Sequence, residues 1–267
     1  MVQLVGIVNL TEDSFSDGGR FLDVRHAIAQ GERLLADGAD WLDFGAESSN
    51  PFGKTVDDDE QIERLAPVVR HFKAVGAKVS VDTNKPSVMR AVLDLGADMV
   101  NDISALQSPG SVEALLAKPK ARVVLMHSRS AGARAETAER PYRALIPEII
   151  DFFRRRIADL EGAGLQRDRI LIDPGMGYFL GGNPEPSLWV LRHLDELSTL
   201  GQPIFLSTSR KSFIGAVLGK QQPSERGIGT LATELWAIQH RAAFIRTHEV
   251  APLAQAYRMW RAISDIV

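Results

Sequence analysis

Eight short apolar runs recur along the chain and are separated by longer amphipathic stretches. The runs are rich in Val, Ile and Leu and lie at 4–8, 41–44, 79–81, 98–100, 123–126, 170–172, 204–206 and 244–245. Their hydrophobicity is nearly continuous rather than alternating, which is typical of parallel strands covered on both faces. The pattern therefore predicts eight buried parallel strands.

The stretches between the runs have the 3.6-residue period of amphipathic helices. They lie at 24–37, 57–75, 86–95, 110–116, 143–163, 187–199, 211–218, 228–241 and 251–265. In two helix-to-strand connections a glycine, Gly38 or Gly96, stands where a left-handed residue closes a helix. The repeated alternation of eight strands with helices predicts a (β/α)8 barrel, with an open doubly wound sheet as the alternative.

Length and composition agree with this architecture. The chain has 267 residues without a compositional break, so we expect residues 1–267 to form one domain. One (β/α)8 barrel needs roughly 250 residues. The formal net charge of −3, from 31 basic and 34 acidic residues, argues against a nucleic-acid-binding protein. Because the chain contains no cysteine, disulfides, thiolate zinc sites and cysteine nucleophiles are excluded.

The beginning of the chain and its hydropathy predict the location of the protein. Residues 1–8 have the pattern of a first strand and lack the basic region and cleavage site of a signal peptide. No apolar run approaches the roughly 20 residues of a transmembrane helix. We therefore expect a cytoplasmic protein with no membrane partner.

Polar side chains stand at or near the end of every predicted strand. In chain order they are Asn9, Asp43, Asp82, Asn101-Asp102, His127, Asp173, Ser209-Arg210-Lys211 and Arg246-Thr247-His248. The carboxyl ends of barrel strands form one rim, where (β/α)8 enzymes have their active sites. The sequence therefore predicts one active site at this rim.

The chemistry of these side chains changes along the rim. The last two strands end in residues that carry or can carry positive charge, namely Arg210, Lys211, Arg246 and a protonated His248. Such a cluster suits a phosphate or diphosphate. Asp82, Asn101 and Asp173 suit a flat heterocycle rich in N–H donors, since a carboxylate can accept two parallel N–H bonds. Asn9 offers one neutral oxygen to a Mg²⁺ ion that a diphosphate already holds.

Seven motifs occur in order along the chain. They are Gly6 to Gly19, Ser80-Val81-Asp82-Thr83, Val100-Asn101-Asp102-Ile103, Leu125-Met126-His127, Asp173-Pro174-Gly175-Met176-Gly177, Ser209-Arg210-Lys211-Ser212 and Arg246-Thr247-His248. One such motif would be weak support, but all seven in order at barrel spacing are specific. Over nearly the whole chain the sequence resembles the dihydropteroate synthase family.

This resemblance implies the fold, the reaction and the site. Family members are (β/α)8 barrels, usually dimeric, that join 6-hydroxymethyl-7,8-dihydropterin diphosphate to p-aminobenzoate and release diphosphate. The matching pterin-binding residues are Asp82, Asn101, Asp173, Lys211 and Arg246. The matching p-aminobenzoate-binding residues are Phe15, Pro51, Phe179, Arg210, Lys211 and Ser212. The matching diphosphate-binding residues are Asn9, Ser49, Asn50, Arg246 and His248. Asn9 would also contact Mg²⁺, and the catalytic residues would be Asp82, Lys211, Arg246 and His248.

Two loops depart from the usual family pattern. In the segment 47–51, Asn50 stands where family members usually carry arginine, so a bidentate anion clamp is lost. After the sixth strand, the segment 177–182 replaces the usual Gly-Phe-Gly-Lys run. Both changes resemble the sulfonamide-resistance branch of the family. We hypothesise that Phe179 admits p-aminobenzoate but crowds a bulkier sulfonamide.

Three other functions fit parts of the pattern. A metal-dependent hydrolase could use Asp82, Asp173, His127 and His248 as ligands, although such barrels typically begin with a pair of histidines. A pterin-binding methyltransferase would have no need of the 209–212 cluster. A catalytically inactive pterin-binding homologue is compatible with the missing arginine.

Overall fold

A closed parallel barrel forms the centre of the molecule. The computed structural model describes residues 2–10, 20–47, 55–129, 141–220 and 222–266. Its strands are β1 (Gln3–Asn9), β2 (Trp41–Gly45), β3 (Val79–Asp82), β4 (Met99–Asp102), β5 (Arg122–Met126), β6 (Ile170–Asp173), β7 (Ile204–Leu206) and β8 (Ala242–Thr247). Each strand pairs in parallel with the next, and β8 pairs with β1. The predicted (β/α)8 barrel is confirmed, and the open doubly wound sheet is wrong.

Helices follow the strands as the periodicity predicted. Within the described residues they are α1 (Arg20–Ala36), α2 (Asp58–Ala74), α3 (Pro86–Asp94), α4 (Ser111–Leu116), α5 (Leu145–Gly162), α6 (Glu185–Arg192), α7 (Ser212–Leu218), α8 (Gly227–Gln239) and α9 (Val250–Ser264). The helix predicted at 187–199 is divided at His193, whose φ of −112° and ψ of 20° are not helical. A 3-10 helix, Leu194–Leu200, follows it. Gly38 and Gly96 have φ of 103° and 96°, which confirms the left-handed closures.

Apolar side chains fill the floor of the barrel interior. This floor consists of Val5, Trp41, Met99, Val124, Leu171, Phe205 and Phe244. A separate and larger apolar layer lies between the outer face of the strands and the helices. Burying one large floor side chain contributes about 1.5–3 kcal/mol. Because these side chains fill the interior, the floor closes the barrel below the rim, and the rim is the end that a ligand can reach.

Alternation along the strands decides which polar residues face the interior. Four floor residues are followed two positions later by Asp43, Asn101, Asp173 and Arg246. Because successive strand side chains point to opposite faces, these four side chains lie directly above the floor. Their direct neighbours in sequence, such as Asp102 and Thr247, face the helices instead. The same period of two thus produces both the apolar floor and a polar layer over it.

Candidate active site

One row of neighbouring residues crosses the rim from β1 to β4. It consists of Asn9, Gly45, Asp82 and Asn101. They are successive register partners on neighbouring strands. A Cβ atom on Gly45 would lie 3.8 Å from Asn9 Oδ1 and 3.6 Å from Asp82 Cβ. Any longer side chain at this position would fill the space between them. Glycine therefore keeps the rim open between the amide of Asn9 and the carboxylate of Asp82.

Arg246 is the centre of a buried network of charges. Its Nε atom donates to Asp43 Oδ2 at 2.5 Å, and its Nη2 atom donates to Asp82 Oδ2 at 3.0 Å. Asn101 Nδ2 lies 3.5 Å from the same Asp43 oxygen. The Arg246 side chain is 14% exposed and that of Asp43 is 0% exposed. Although burial opposes its charge, Asp43 and Asp82 raise the pKa of Arg246, so the guanidinium is charged.

Asp82 and Asp173 are carboxyl groups with raised pKa values. Burial raises the pKa of Asp82 to about 7, although Arg246 acts in the opposite direction. Burial also raises the pKa of Asp173 to about 6, against the influence of Lys211. Asp173 Oδ1 accepts a hydrogen bond of 2.8 Å from Gly175 N. The turn after β6 is thus fixed by one carboxyl oxygen, and the other oxygen remains for a ligand.

Gly175 lets this turn approach β5 closely. Its φ is 73°, and a Cβ atom there would lie 2.3 Å from the carbonyl oxygen of His127. No side chain fits at that distance, so only glycine allows the two backbones to meet. The close approach holds Asp173 at the rim, next to the end of β5.

Lys211 is the N-cap residue directly before α7, and its side chain extends into the same site. Its Nζ atom donates to Met176 O at 3.3 Å and lies 5.2 Å from the centre of the Phe179 ring. Burial lowers the pKa of Lys211 to about 8, and Asp173 opposes this shift. Ser212 lies beside it, since a Cβ atom on Gly177 would be 3.5 Å from Ser212 Oγ. The β6 loop and the start of α7 therefore form one wall, which contains Phe179, Lys211 and Ser212.

The positive charge of Arg210 is compensated by Glu249. Arg210 Nη2 donates to Glu249 Oε1 at 2.7 Å. The backbone of Arg210 has a φ of 59°, a left-handed conformation that is uncommon for a residue with a side chain. Its amide nitrogen donates to Thr230 Oγ1 at 2.9 Å, which secures the turn. An anionic ligand would therefore meet an ion pair here rather than an isolated cation.

His248 is neutral in this structure, so it does not add the positive charge that a protonated histidine would bring to the cluster. Burial lowers its pKa to about 3, and the positive charges of Arg246 and Arg210 add to the effect. Its Nδ1 atom is 2.9 Å from Ser209 Oγ, which also accepts from His248 N. The hydroxyl group can therefore donate to Nδ1, and the proton of the neutral ring then belongs on Nε2.

One central residue was missed as a site residue by the sequence analysis. Asp43 was recognised only as a polar residue in β2, yet it anchors Arg246 from a completely buried position. Its position two residues after the floor residue Trp41 was a usable signal. Asp102, next to Asn101, is not a site residue, because its carboxylate accepts hydrogen bonds from Ser104 N and Leu106 N in the following turn.

Most of the predicted site residues meet at this rim. Asn9, Asp82, Asn101 and Arg246 lie above the floor, and Asp173, Phe179, Lys211 and Ser212 lie at or beside the β6 and β7 ends. Arg210 and His248 lie next to this group. His248 contacts Ser209, and Arg210 forms an ion pair with Glu249. The other four predictions, Phe15, Ser49, Asn50 and Pro51, lie outside the described residues.

Comparison with known proteins gives the same assignment. A family model for pterin binding enzymes matches residues 5–248. Dihydropteroate synthase type-2 of Escherichia coli is 44% identical over 263 residues, which are 98% of this chain and 96% of the relative. A structure of Xanthomonas albilineans dihydropteroate synthase with 4-aminobenzoic acid has a TM-score of 0.91 at 38% identity, covering 100% of this chain and 94% of that one. A second, in complex with 7,8-dihydropteroate, has a TM-score of 0.88 at 37% identity, covering 100% and 95%.

The barrel and its rim site define a pterin-binding enzyme, and the chain belongs to that family. Within the family it belongs to the dihydropteroate synthases, because the identity to them extends over nearly the full length of both chains. The chain is accordingly a transferase. The family predicted from the seven motifs is confirmed.

Proposed function

We propose that the rim site condenses 6-hydroxymethyl-7,8-dihydropterin diphosphate with p-aminobenzoate to give 7,8-dihydropteroate and diphosphate. The observation that carries this proposal is that one buried site contains both hydrogen-bond acceptors and positively charged groups. Acceptors for a donor-rich ring, Asp82 and Asp173, lie within electrostatic reach of the cations Lys211 and Arg246. Bound 4-aminobenzoic acid and 7,8-dihydropteroate in the similar structures agree with both halves of the reaction.

Asp173 and Asn101 are proposed to hold the pterin ring. The carboxyl oxygen of Asp173 that does not bind Gly175 can accept N–H bonds from the 2-amino-4-oxopyrimidine edge. Asn101 supplies both a donor and an acceptor from the neighbouring part of the rim. Lys211 can donate to a ring acceptor, since its ammonium group already lies against the β6 loop. These contacts fix the ring with its methylene group towards the diphosphate side.

Arg246, His248 and Asn9 are proposed to hold the diphosphate. Arg246 remains charged, and the Nε2–H group of neutral His248 can donate to a phosphate oxygen. The carbon–oxygen bond to diphosphate breaks first, and its electron pair leaves with the diphosphate. The resulting pterin-methyl cation is stabilised by the ring nitrogens and by the negative charge of Asp82. The amine nitrogen of p-aminobenzoate then attacks the methylene carbon and afterwards loses a proton.

The site fits Mg²⁺ only as an ion carried by the diphosphate. In the described part of the chain no three His, Asp or Glu side chains gather as ligands. The rim carboxylates Asp43 and Asp82 are already paired with Arg246. One amide oxygen from Asn9 suits a hard cation that keeps diphosphate and water oxygens as its other ligands. Bound in this way, Mg²⁺ would neutralise charge on the leaving group.

Turnover with both substrates in the presence of Mg²⁺ tests the proposed reaction. We expect 7,8-dihydropteroate and diphosphate to form in equal amounts, and EDTA to suppress both. An inactive pterin-binding homologue would bind the pterin diphosphate without forming product. A hydrolase would release diphosphate without consuming p-aminobenzoate. A methyltransferase would require a methyl donor. The pairing of Asp82 with Arg246 already disfavours the hydrolase, because the carboxylate that would bind a metal ion is bound to a guanidinium group instead.

Phe179 is proposed to distinguish p-aminobenzoate from sulfonamides. The side chain is 7% exposed and lies over the ammonium group of Lys211, at the wall where p-aminobenzoate is expected. A backbone hydrogen bond of 2.9 Å from Arg129 N to Phe179 O limits how far Phe179 can move away from the site. A sulfonamide is bulkier than the carboxylate that it imitates, so we expect the wild-type enzyme to resist it.

Shortening this side chain should restore inhibition. For Phe179→Ala we expect the inhibition constant of sulfamethoxazole to fall at least tenfold, because the ring no longer crowds the inhibitor. The KM for p-aminobenzoate should change less than the inhibition constant does. Tyr178→Ala, one residue away, is the matched control. If the wild type is already sensitive, or if the alanine variant at position 179 stays resistant, Phe179 does not set this specificity.

We further propose a cytoplasmic homodimer. Among the described residues, large apolar side chains are exposed on α7 and α8, including Val217, Leu218, Ile228 and Trp236. An exposed apolar patch of this kind suits a subunit contact. Light scattering after size-exclusion chromatography would show a mass near twice 29.3 kDa. None of the described helices is long and apolar enough to cross a membrane.

A further inference from the structure

The inner face of α8 carries polar side chains where an apolar contact would be expected. Thr230 and Glu234 are each 1% exposed, and Ala237 is 0% exposed. Their spacing places all three on the face of the helix that packs against β8 and the β7 end. Thr233, on the edge of this face, has its hydroxyl oxygen 3.0 Å from that of Thr208. We call Thr230, Thr233 and Glu234 the α8 polar seam.

Glu234 is a buried acid without a cationic partner in the described structure. The hydroxyl group of Thr247, which is 0% exposed, lowers the pKa of Glu234 by hydrogen bonding, and the Oε1 atom of Glu234 has no hydrogen-bond partner among the described residues. Burial raises the pKa of Glu234 to about 8, and the nearby negative charge of Glu249 raises it further. Near pH 7 the group is therefore a neutral carboxylic acid. A buried, half-satisfied acid costs stability, which calls for a role.

The seam connects the two rim segments that follow β7 and β8. Thr247 Oγ1 accepts from Glu249 N at 3.2 Å, so the partner of Glu234 also fixes the backbone of Glu249. The carboxylate of Glu249 in turn holds Arg210. From the other side, Thr230 accepts from Arg210 N. Both members of the Arg210–Glu249 ion pair are thus tied to α8.

We propose that Glu234 is a positioning residue that sets the Arg210–Glu249 ion pair at the p-aminobenzoate side of the site. The inference rests on the proposed contact of Arg210 with p-aminobenzoate. Glu234 acts through Thr247 and touches no substrate itself. Its neutral form suits this task, because a charged Glu234 would repel Glu249 and compete with it for Arg210.

The charged groups around Glu234 agree with an uncharged side chain at this position. Glu249 is the charge that acts on it from the end of β8. From the β7 end, Arg210 is already paired with Glu249, and Arg226 donates to the carbonyl oxygen of Arg210. His248, the neighbour of both Thr247 and Glu249, is neutral. Arg210 and Arg226 therefore bind groups other than Glu234.

Three substitutions in the full-length enzyme test the proposal. Glu234→Gln keeps a neutral group of the same shape, and we expect the KM for p-aminobenzoate to stay within twofold of the wild type. Glu234→Leu removes the hydrogen bond, and Thr247→Val removes its partner. For both we expect the KM for p-aminobenzoate to rise about tenfold, while the KM for the pterin diphosphate changes less than twofold. The double variant should be no worse than either single variant, because both break one connection.

The outcomes separate this inference from the proposed function. If Arg210→Ala leaves the KM for p-aminobenzoate unchanged, the proposed contact of Arg210 is wrong. If Arg210→Ala raises that KM but the Leu and Val variants do not, Glu234 is not a positioning residue. A lower melting temperature with unchanged KM values would likewise assign it a purely structural role and overturn the proposal. Should Glu234→Leu fail to fold, Thr247→Val gives the same comparison with a smaller change.

Discussion

Replacing Asp173 by asparagine is expected to lower kcat/KM for the pterin diphosphate about a thousandfold. Asparagine can keep the hydrogen bond that Gly175 N makes with Oδ1, so the turn after β6 should survive. The other oxygen becomes an NH₂ group, which meets the N–H donors of the pterin edge with a donor. Each lost bond to a charged acceptor costs about 1.5–3 kcal/mol, and unpaired buried donors add to that loss.

Steady-state kinetics and calorimetric titration with the pterin diphosphate measure this effect. Asp102→Asn is the matched control, because Asp102 is also buried at the end of a strand but faces the helices. It should lower the melting temperature and leave the KM for the pterin unchanged. A loss smaller than tenfold in the Asp173 variant would mean that the pterin does not bind this carboxylate.

Replacing Arg246 by methionine is expected to lower kcat/KM by at least a thousandfold and also to destabilise the fold. Asp43 and Asp82 would become two buried acids without their shared cation. Breaking such a buried pair costs about 3–5 kcal/mol. Arg246→Lys keeps the charge but not the fork that reaches both carboxylates, so we expect a smaller loss of stability and a loss of activity of about a hundredfold.

The pH profile should shift in a definite direction. The pKa of Asp82 is about 7, and its ionised form stabilises the proposed cation, so activity should fall as pH falls through this value. Arg246 counteracts the effect of burial on this pKa. Without the arginine, the pKa of Asp82 rises, and the acid limb of the profile should move to higher pH. Kinetics from pH 5.5 to 9 would show the shift in the methionine variant, with the lysine variant, which keeps the positive charge, as the control. An unmoved acid limb in the methionine variant would contradict the prediction.

The fold was predictable because its signals are local. Each buried strand is a continuous apolar run, and each helix has a 3.6-residue period, so eight repeats indicated the barrel. The single failure within a helix, at His193, came from a backbone conformation that leaves no mark on the hydrophobic pattern. The direction of the strand side chains was also implicit, since Trp41 and Asp43 are two positions apart in β2 and therefore lie on the same face.

The sequence by itself determined the barrel, the family and the set of polar residues at the rim, because these depend on residue type and spacing along one strand. Only the tertiary structure decided how the charges are used. Asp43 and Arg246 are 203 residues apart and meet because β2 and β8 both flank β1. Glu249 compensates Arg210, and burial among cations keeps His248 neutral. Charge state depends on partners and solvent exposure in three dimensions, and neither is written in the order of the residues.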